Sequence, residues 1–308
     1  MRIIFMGTPD FAGNVLKRLI DEQHEVVLVV SQPDRPVGRK KELKPTPVKQ
    51  VALAHHIPVF QPEKIRTDYD AIITAQPDLI ITAAYGQIVP KAVLNAPRLG
   101  CINVHASLLP KYRGGAPIHQ AIIDGEAETG VTIMYMDVGL DTGDMISQIT
   151  TPITDDDDTG ILFERLSGLG ADLLMTTLPA IKAGTNARTP QDEAKVTYAY
   201  NITREQEKIC WQRSARNVFN QIRGLNPFPT AYTTINGQNV KVFKAEIISG
   251  ASSESGRITA VTTAGIEVAC GDGGIIRMTE LQLAGKKRMP IRDLLNGDHP
   301  LEVGAKFD

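Results

Sequence analysis

The chain has 308 residues, 42% of them hydrophobic, with 33 Lys/Arg against 35 Asp/Glu for a net charge of −2. Such a length can bury a sizeable core and points to two domains, and the composition argues against disorder. The near-zero charge argues against a generic nucleic-acid binder, no apolar run is long enough to span a bilayer, and three widely spaced cysteines (Cys101, Cys210, Cys270) argue against a disulfide framework or structural zinc.

In chain order, residues 2–6 are a short apolar run that ends in Thr8-Pro9-Asp10, which reads as a first strand rather than a signal peptide. A soluble cytoplasmic protein is therefore expected. Thr8 is placed as N-cap and Pro9 as first residue of a helix whose apolar positions are Val15, Leu16, Leu19 and Ile20. Residues 25–31 form a second apolar strand, so the chain opens β-α-β, the start of a parallel sheet. Gly7 and Gly13 do not make a G-x-G-x-x-G fingerprint, which argues against a dinucleotide cofactor. Residues 34–49 carry Arg35, Arg39, Lys40, Lys41, Lys44 and Lys49 against Asp34 and Glu42, the densest basic feature present. With four prolines in or beside it, the stretch is expected to be a long irregular loop positioned for a phosphate-bearing substrate. A helix over 48–56 follows, and its adjacent His55 and His56 fall on different faces, which disfavours a metal site.

Residues 78–84 are a further strand, and the apolar loop Tyr85-Gly-Gln-Ile-Val-Pro90 after it could wall a flat ligand. In residues 101–105 apolar and polar side chains alternate, so Asn103 and His105 share one strand face. Residues 107–110 stop that strand, Gly114-Gly115 permits close backbone approach, and Pro117 opens a helix to about Asp124. The amide and the imidazole thus sit at the carboxyl end of a strand, where open α/β sheets bind their ligands. Strands are expected over 130–136 and 145–150. The acidic turn between them offers Asp137, Asp141 and Asp144 as partners for His105, and spacing does not choose among them. Residues 155–158, all Asp, precede a long amphipathic helix and read as its N-terminal charges rather than a metal site.

The polar stretch 185–203 reads as a junction. It divides the chain into a catalytic domain over 1–189, a linker over 190–206 and a C-terminal domain over 207–308. From Glu205 onward 13 Lys/Arg face 11 Asp/Glu, so this part is mildly basic. It is expected to begin with a helix over 205–225 and to break at Asn226-Pro-Phe-Pro229. A hairpin turning at Asn236-Gly237 follows, then short strands over 257–262, 266–270 and 275–283 and a last helix over 290–295. About five short strands suit a small OB-like barrel. Trp211 is assigned to its core. The fold class is therefore α/β: a Rossmann-like, mostly parallel sheet with helices on both faces, plus a small C-terminal barrel.

With no metal and no nucleophilic Ser or Cys in register, an amide beside an imidazole suits acyl transfer between two bound substrates. The amide donates to the oxygen of a tetrahedral intermediate while the imidazole handles the proton. An aspartate would hold the imidazole's tautomer.

Asn103-Val-His105-Ala-Ser-Leu-Leu-Pro110, then Tyr112-Arg-Gly-Gly-Ala-Pro117 and Asp137-Val-Gly-Leu-Asp-Thr-Gly-Asp144, resembles the folate-dependent formyltransferase family. The resemblance spans nearly the whole chain, through Met6-Gly-Thr-Pro-Asp-Phe11, Gln32-Pro-Asp-Arg-Pro36, Asn226-Pro-Phe-Pro229 and Gly285-Lys-Lys-Arg288. It implies that Asn103, His105 and Asp141 are catalytic. It also implies that 10-formyltetrahydrofolate is the formyl donor, with no metal, and that the acceptor is the α-amine of methionine esterified to initiator tRNA. The donor-binding residues it implies are Ser107, Leu108, Leu109 and Pro110, with Tyr85, Gly86, Gln87, Ile88 and Val89 and with Val138, Gly139 and Leu140 near the pterin. For tRNA it implies Arg39 above all. The other basic residues placed there are Lys40, Lys41, Lys44, Arg213, Arg216, Lys286, Lys287 and Arg288. The mechanism implied is direct attack by the neutral amine, with Asn103 and protonated His105 on the oxyanion and no covalent enzyme intermediate. Family members carry an acidic residue before the tryptophan, where this chain has Cys210 before Trp211. A monomer is expected. The rival expectations are a formyltransferase for a sugar nucleotide or small amine, and a formyltetrahydrofolate hydrolase.

Overall fold

Two short apolar segments buried from end to end, Ile3–Gly7 and Leu79–Ala83, lie at the centre of the first sheet, as parallel strands covered on both faces require. The computed structural model describes residues 1–37, 42–252 and 254–308. Its first elements are β1 (Ile3–Gly7), α1 (Asp10–Asp21) and β2 (Val26–Val30). Here the structure corrects the capping expectation. Pro9, not Thr8, holds the N-cap position of α1, and the Thr8 hydroxyl donates instead to the Tyr85 carbonyl at 3.0 Å. The described residues of the basic stretch also depart from the expected irregular loop. Arg35–Val37 (β3) and Glu42–Lys44 (β4) pair as an antiparallel ribbon, and Arg39, Lys40 and Lys41 lie outside the described residues. The ribbon's base is tied down by Asp34, which takes Lys49 Nζ at 2.6 Å and Gln61 Nε2 at 2.8 Å.

The sheet continues through α2 (Pro47–Ala54), β5 (Val59–Phe60), α3 (Asp70–Thr74), β6 (Leu79–Ala83), α4 (Lys91–Leu94) and β7 (Cys101–His105). After α5 (Pro117–Ile123) come β8 (Glu128–Tyr135), β9 (Met145–Pro152) and the long α6 (Thr159–Ala183). The strand order is β5-β2-β1-β6-β7-β8-β9. Pairing is parallel from β5 to β7, and β8 runs antiparallel to β7. The order reverses between β1 and β6, and the loops that leave β1, β2 and β6 are stitched together there by Thr8 and Gln32, both bonded to the Tyr85 carbonyl.

One face of the sheet is covered by α1 and α6, whose Phe11 and Phe163 rings meet edge-on at 5.6 Å. A Cβ on Gly170 would come within 2.9 Å of Val104, so α6 lies directly on the back of β7. On the opposite face Ile4, Met6, Val30, Ile80 and Cys101 form one core cluster with Ile72 of α3 and Val93 of α4. Cys101, Asn103 and His105 share that face.

Among the described residues, contacts divide the chain into two compact units: Met1–Pro117 with Thr129–Thr151 and Phe163–Tyr200, and Ile118–Glu128 with Pro152–Leu162 and Asn201–Asp308. In the second unit the single helix expected over 205–225 is two helices, α7 (Arg204–Glu207) and α8 (Ala215–Gly224). Between them the chain is extended, because Ile209 and Trp211 alternate into the core and Lys208 bridges to Tyr232. Ser214 then restarts the helix by capping Asn217 N–H at 3.2 Å. Trp211 is 1% exposed and its indole N–H donates to Thr233 Oγ1 at 2.9 Å.

The strands of this unit are β10 (Ala231–Ile235), β11 (Gln238–Ile248), β12 (Ile258–Thr262), β13 (Gly265–Ala269), β14 (Ile275–Leu283) and β15 (Met289–Pro290), followed by α9 (Ile291–Leu294). They form an antiparallel sheet in the order β10-β11-β14-β13-β12, with β15 on β14. Asn236 and Gly237 both take positive φ (50° and 73°), the turn a tight hairpin demands. Register shifts at Val242–Ala245 bend β11 around the core. Among the described residues no helix is long and apolar enough to cross a membrane.

Candidate active site

The parallel register of β6 and β7 sets Thr82 beside Asn103. The buried Thr82 hydroxyl donates to Asn103 Oδ1 at 3.0 Å, which fixes the amide and leaves its Nδ2 donors without an acceptor among the described residues. Two residues on, His105 is 5% exposed and its Nε2 lies 3.0 Å from the Tyr112 carbonyl. A carbonyl only accepts, so Nε2 carries the proton in the neutral ring and Nδ1 is the nitrogen left for chemistry. Nδ1 faces Asp141 Oδ2 at 3.8 Å, too long for a direct hydrogen bond and short enough for strong attraction once the ring is charged. The floor of this face is buried, and the burial pushes the Cys101 thiol up to about 12 and raises the Tyr85 phenol.

Of the three aspartates that spacing left open, the structure brings Asp141 to His105. Asp137 accepts from the Val138 N–H at 2.7 Å, and Asp144 pairs with Arg188 at 3.1 Å. Asp141 is held by groups the sequence reading missed. Its Oδ2 accepts the Gly114 N–H at 2.8 Å, and its carbonyl and that of Gly143 accept from Gln191 Nε2 at 2.7 and 2.8 Å. Gln191 is in turn fixed by Arg113, which is 1% exposed and also reaches Glu193 at 2.8 Å. Gly114 has φ +121°, and a Cβ there would stand 2.6 Å from the Ala199 carbonyl, so glycine alone fits. Residues 112–116 are zipped to 197–199 through Tyr112 N–H to Thr197 Oγ1 (2.9 Å), Arg113 N–H to the Thr197 carbonyl (2.9 Å) and Ala199 N–H to the Arg113 carbonyl (2.8 Å). Arg113 was readable as part of a motif, whereas Gln191 carries no local signal.

The expected donor-binding segments surround this centre unevenly. Thr132 Oγ1 donates to the Ser107 carbonyl at 2.7 Å and accepts from Leu109 N–H at 3.2 Å, and Gln148 bonds the Leu109 carbonyl, so residues 107–110 are rigidly supported. Leu109 is buried and Leu108 and Pro110 are partly so. In 85–89, Tyr85 and Val89 lie inside the core cluster, and the Tyr85 hydroxyl has no hydrogen-bond partner among the described residues. Gly86 takes φ +89° and is exposed, Gln87 bonds Ile65 N–H and Gln32, and Ile88 is exposed, at 66%. Val138 and Leu140 are exposed beside Gly139.

The basic residues named for RNA are dispersed. Lys44 is exposed on β4 of the first unit. In the second unit Arg213 and Lys287 are exposed, Arg216 pairs with Asp155 at 2.6 Å, and Lys286 Nζ donates to the Asp298 carbonyl. Arg288 is bidentate to Glu280 at 2.7 and 2.8 Å and lies over the Phe243 ring.

A mostly parallel α/β sheet that presents a fixed amide donor and an imidazole facing a carboxylate is the framework of an acyl-transfer enzyme. The comparisons narrow that class: residues 1–178 match the family model described as formyl transferase, and residues 201–299 match formyl transferase, C-terminal domain. The chain belongs to the formyl transferase family. A methionyl-tRNA formyltransferase of Staphylococcus epidermidis (strain RP62A) is 55% identical over 305 residues, covering 98% of each chain. A protein of the same name from Bacillus subtilis (strain 168) is 54% identical over 306 residues, 98% of this chain and 96% of that one. Among solved structures, HypX from Aquifex aeolicus in complex with tetrahydrofolic acid shares the fold, with TM-score 0.68 and 18% identity over 96% of this chain; the chain spans 47% of that longer protein.

Proposed function

We propose that the chain transfers the formyl group of 10-formyltetrahydrofolate to the α-amino group of methionyl-initiator tRNA, giving N-formylmethionyl-tRNA for translation initiation. The observation that carries this reading is end-to-end similarity to proteins named for that reaction, at 55% identity over 98% of both chains. The Asn103, His105 and Asp141 arrangement supports it chemically. The donor, when bound, supplies a formyl carbon on a nitrogen that departs with its electron pair.

The residues present suit such a donor: a rigid 107–110 segment for polar contacts, and the exposed apolar side chains of Ile88, Val138 and Leu140 for a flat ring. Asn103 Nδ2 donates to the oxyanion that forms as the amine attacks. Protonated His105 offers its Nδ1–H to the same oxygen with the Asp141 carboxylate 3.8 Å away, and a water carries the amine proton to the departing donor nitrogen as the carbon–nitrogen bond to it breaks. No covalent enzyme intermediate is required. In this reading residues 1–189 carry the chemistry, 190–206 link, and 207–308 bind tRNA. The phosphate contacts fall to Arg39, Lys40, Lys41, Lys44, Arg213, Arg216, Lys286, Lys287 and Arg288. A cytoplasmic monomer goes with it, since one chain holds all three catalytic groups.

The test is formyl transfer from 10-formyltetrahydrofolate to methionyl-initiator tRNA by wild type, His105→Ala and Arg39→Ala. Loss of transfer in His105→Ala and a raised KM for tRNA in Arg39→Ala are expected. Formate release without charged tRNA would instead mark a hydrolase, and transfer only to an amino-sugar nucleotide would move the acceptor to that class.

A further inference from the structure

The most exposed aromatic surface of the first unit is a pair of tyrosines that the catalysis above does not use. Tyr198 and Tyr200 are 48% and 65% exposed, their rings parallel within 1° and their centroids 5.6 Å apart. Ala199 between them is 1% exposed, so the strand-like alternation turns both rings outward together. Large aromatic rings left in water side by side lose the burial that normally stabilises them, which marks such a pair as a binding surface rather than a core.

Its position says what it would bind. Residues 197–199 are hydrogen-bonded to 112–116, through the bonds described above and Ala116 N–H to the Ala199 carbonyl at 3.0 Å. The carbonyl of Tyr112 holds His105, and the N–H of Gly114 holds Asp141. The tyrosine pair is therefore bolted to the same short loop that orients the acid–base pair. In an aminoacyl RNA the reacting amine is separated from the terminal nucleobase only by the ester and the ribose. When that amine sits at His105, the base of the last nucleotide has to lie close to this loop. An unpaired terminal base has a neighbour in its own strand on one face only, and stacking the open face on aromatic side chains is the general means of holding it.

We infer that Tyr198 and Tyr200 form the stacking platform for the terminal nucleobase of the aminoacyl RNA acceptor. This rests on the acceptor proposed above. The platform fixes the direction from which the ester enters, and it tolerates any base with a π-face, so it contributes to recognising a nucleic-acid acceptor rather than to choosing among tRNAs. Tyr198 and Tyr200 are positioning residues, and their hydroxyls have no part in it.

A cycle between platform and base tests the inference on the full-length protein. Two acceptors are used, a methionylated initiator tRNA ending in adenosine and the same RNA ending in an abasic ribose, both acylated chemically. In wild type, removing the base lowers kcat/KM about tenfold, the effect residing in KM. In Y198A/Y200A the adenosine-ended RNA is used about tenfold less well, and removing the base costs little more. Y198F/Y200F keeps the wild-type dependence on the base. Equal losses on both acceptors in Y198A/Y200A mean that the rings merely brace the loop, and the platform is refuted. So it is if wild type ignores removal of the base. If wild type formylates the adenosine-ended RNA and either of these results is found, the platform fails alone; if it formylates no methionyl-tRNA, the underlying reading fails.

Discussion

Asp141→Asn isolates the electrostatic half of the proposed chemistry. The change is isosteric, and an amide oxygen can keep the Gly114 N–H bond of 2.8 Å, so the loop that Gln191 holds by its backbone carbonyls stays in place. What is lost is the negative charge 3.8 Å from His105 Nδ1. At an effective dielectric of about 20, unit charges at that distance attract by about 4 kcal/mol. The Asp141 side chain is 17% exposed, and the amide oxygen retains part of the dipole, so about 3 to 4 kcal/mol of support for the charged ring disappears. If His105 carries its proton in the transition state, kcat falls by about 100- to 1000-fold while KM for the donor moves little. Single-turnover formyl transfer measures this. Asp144→Asn serves as the control, because Asp144 pairs with the exposed Arg188 and a surface pair of that kind contributes no more than about 1 kcal/mol. A kcat for Asp141→Asn within about threefold of wild type would refute the imidazolium as oxyanion partner and leave Asn103 to act alone.

Glu280 gives a stability prediction with a definite sign. Two hydrogen bonds from Arg288 hold its carboxyl below the usual 4.5, so its contribution is fully present above about pH 4.5 and is lost as pH falls through the depressed value. Thermal melts of wild type and Glu280→Gln should differ near pH 7 and converge towards pH 3; a gap that persists in acid would mean the pair acts by packing alone. The thiols should separate cleanly under a soluble alkylating reagent at pH 8. Cys101 and Cys270, buried and pushed up to about 12, stay protonated and unlabelled while exposed Cys210 reacts, so intact mass should show one adduct on the native protein and three after denaturation.

What was legible in the sequence is what depends on neighbours along the chain. Two-residue alternation placed Asn103 and His105 on one face because a strand offers no other arrangement, and Asn236-Gly237 announced its turn because few residues tolerate positive φ at both centres. Failures came where a distant group outbid a local one. Thr8 is an acceptable N-cap until the Tyr85 carbonyl offers its hydroxyl a better use, and the helix through 208–213 is plausible until Trp211 finds Thr233. The identity of His105's partner is the sharpest case. Asp137, Asp141 and Asp144 are chemically equal, and what distinguishes Asp141 is a left-handed backbone (φ 51°), a glycine N–H and a glutamine from the polar stretch that reads as a linker. That stretch buries few large apolar side chains because it is anchored chiefly through backbone hydrogen bonds and Gln191. A hydrophobicity pattern is blind to an anchor of that kind. Gly114 shows the limit from the other side: its sequence announces that a backbone comes close, and only the fold says that the backbone is Ala199, the residue between the two exposed tyrosines.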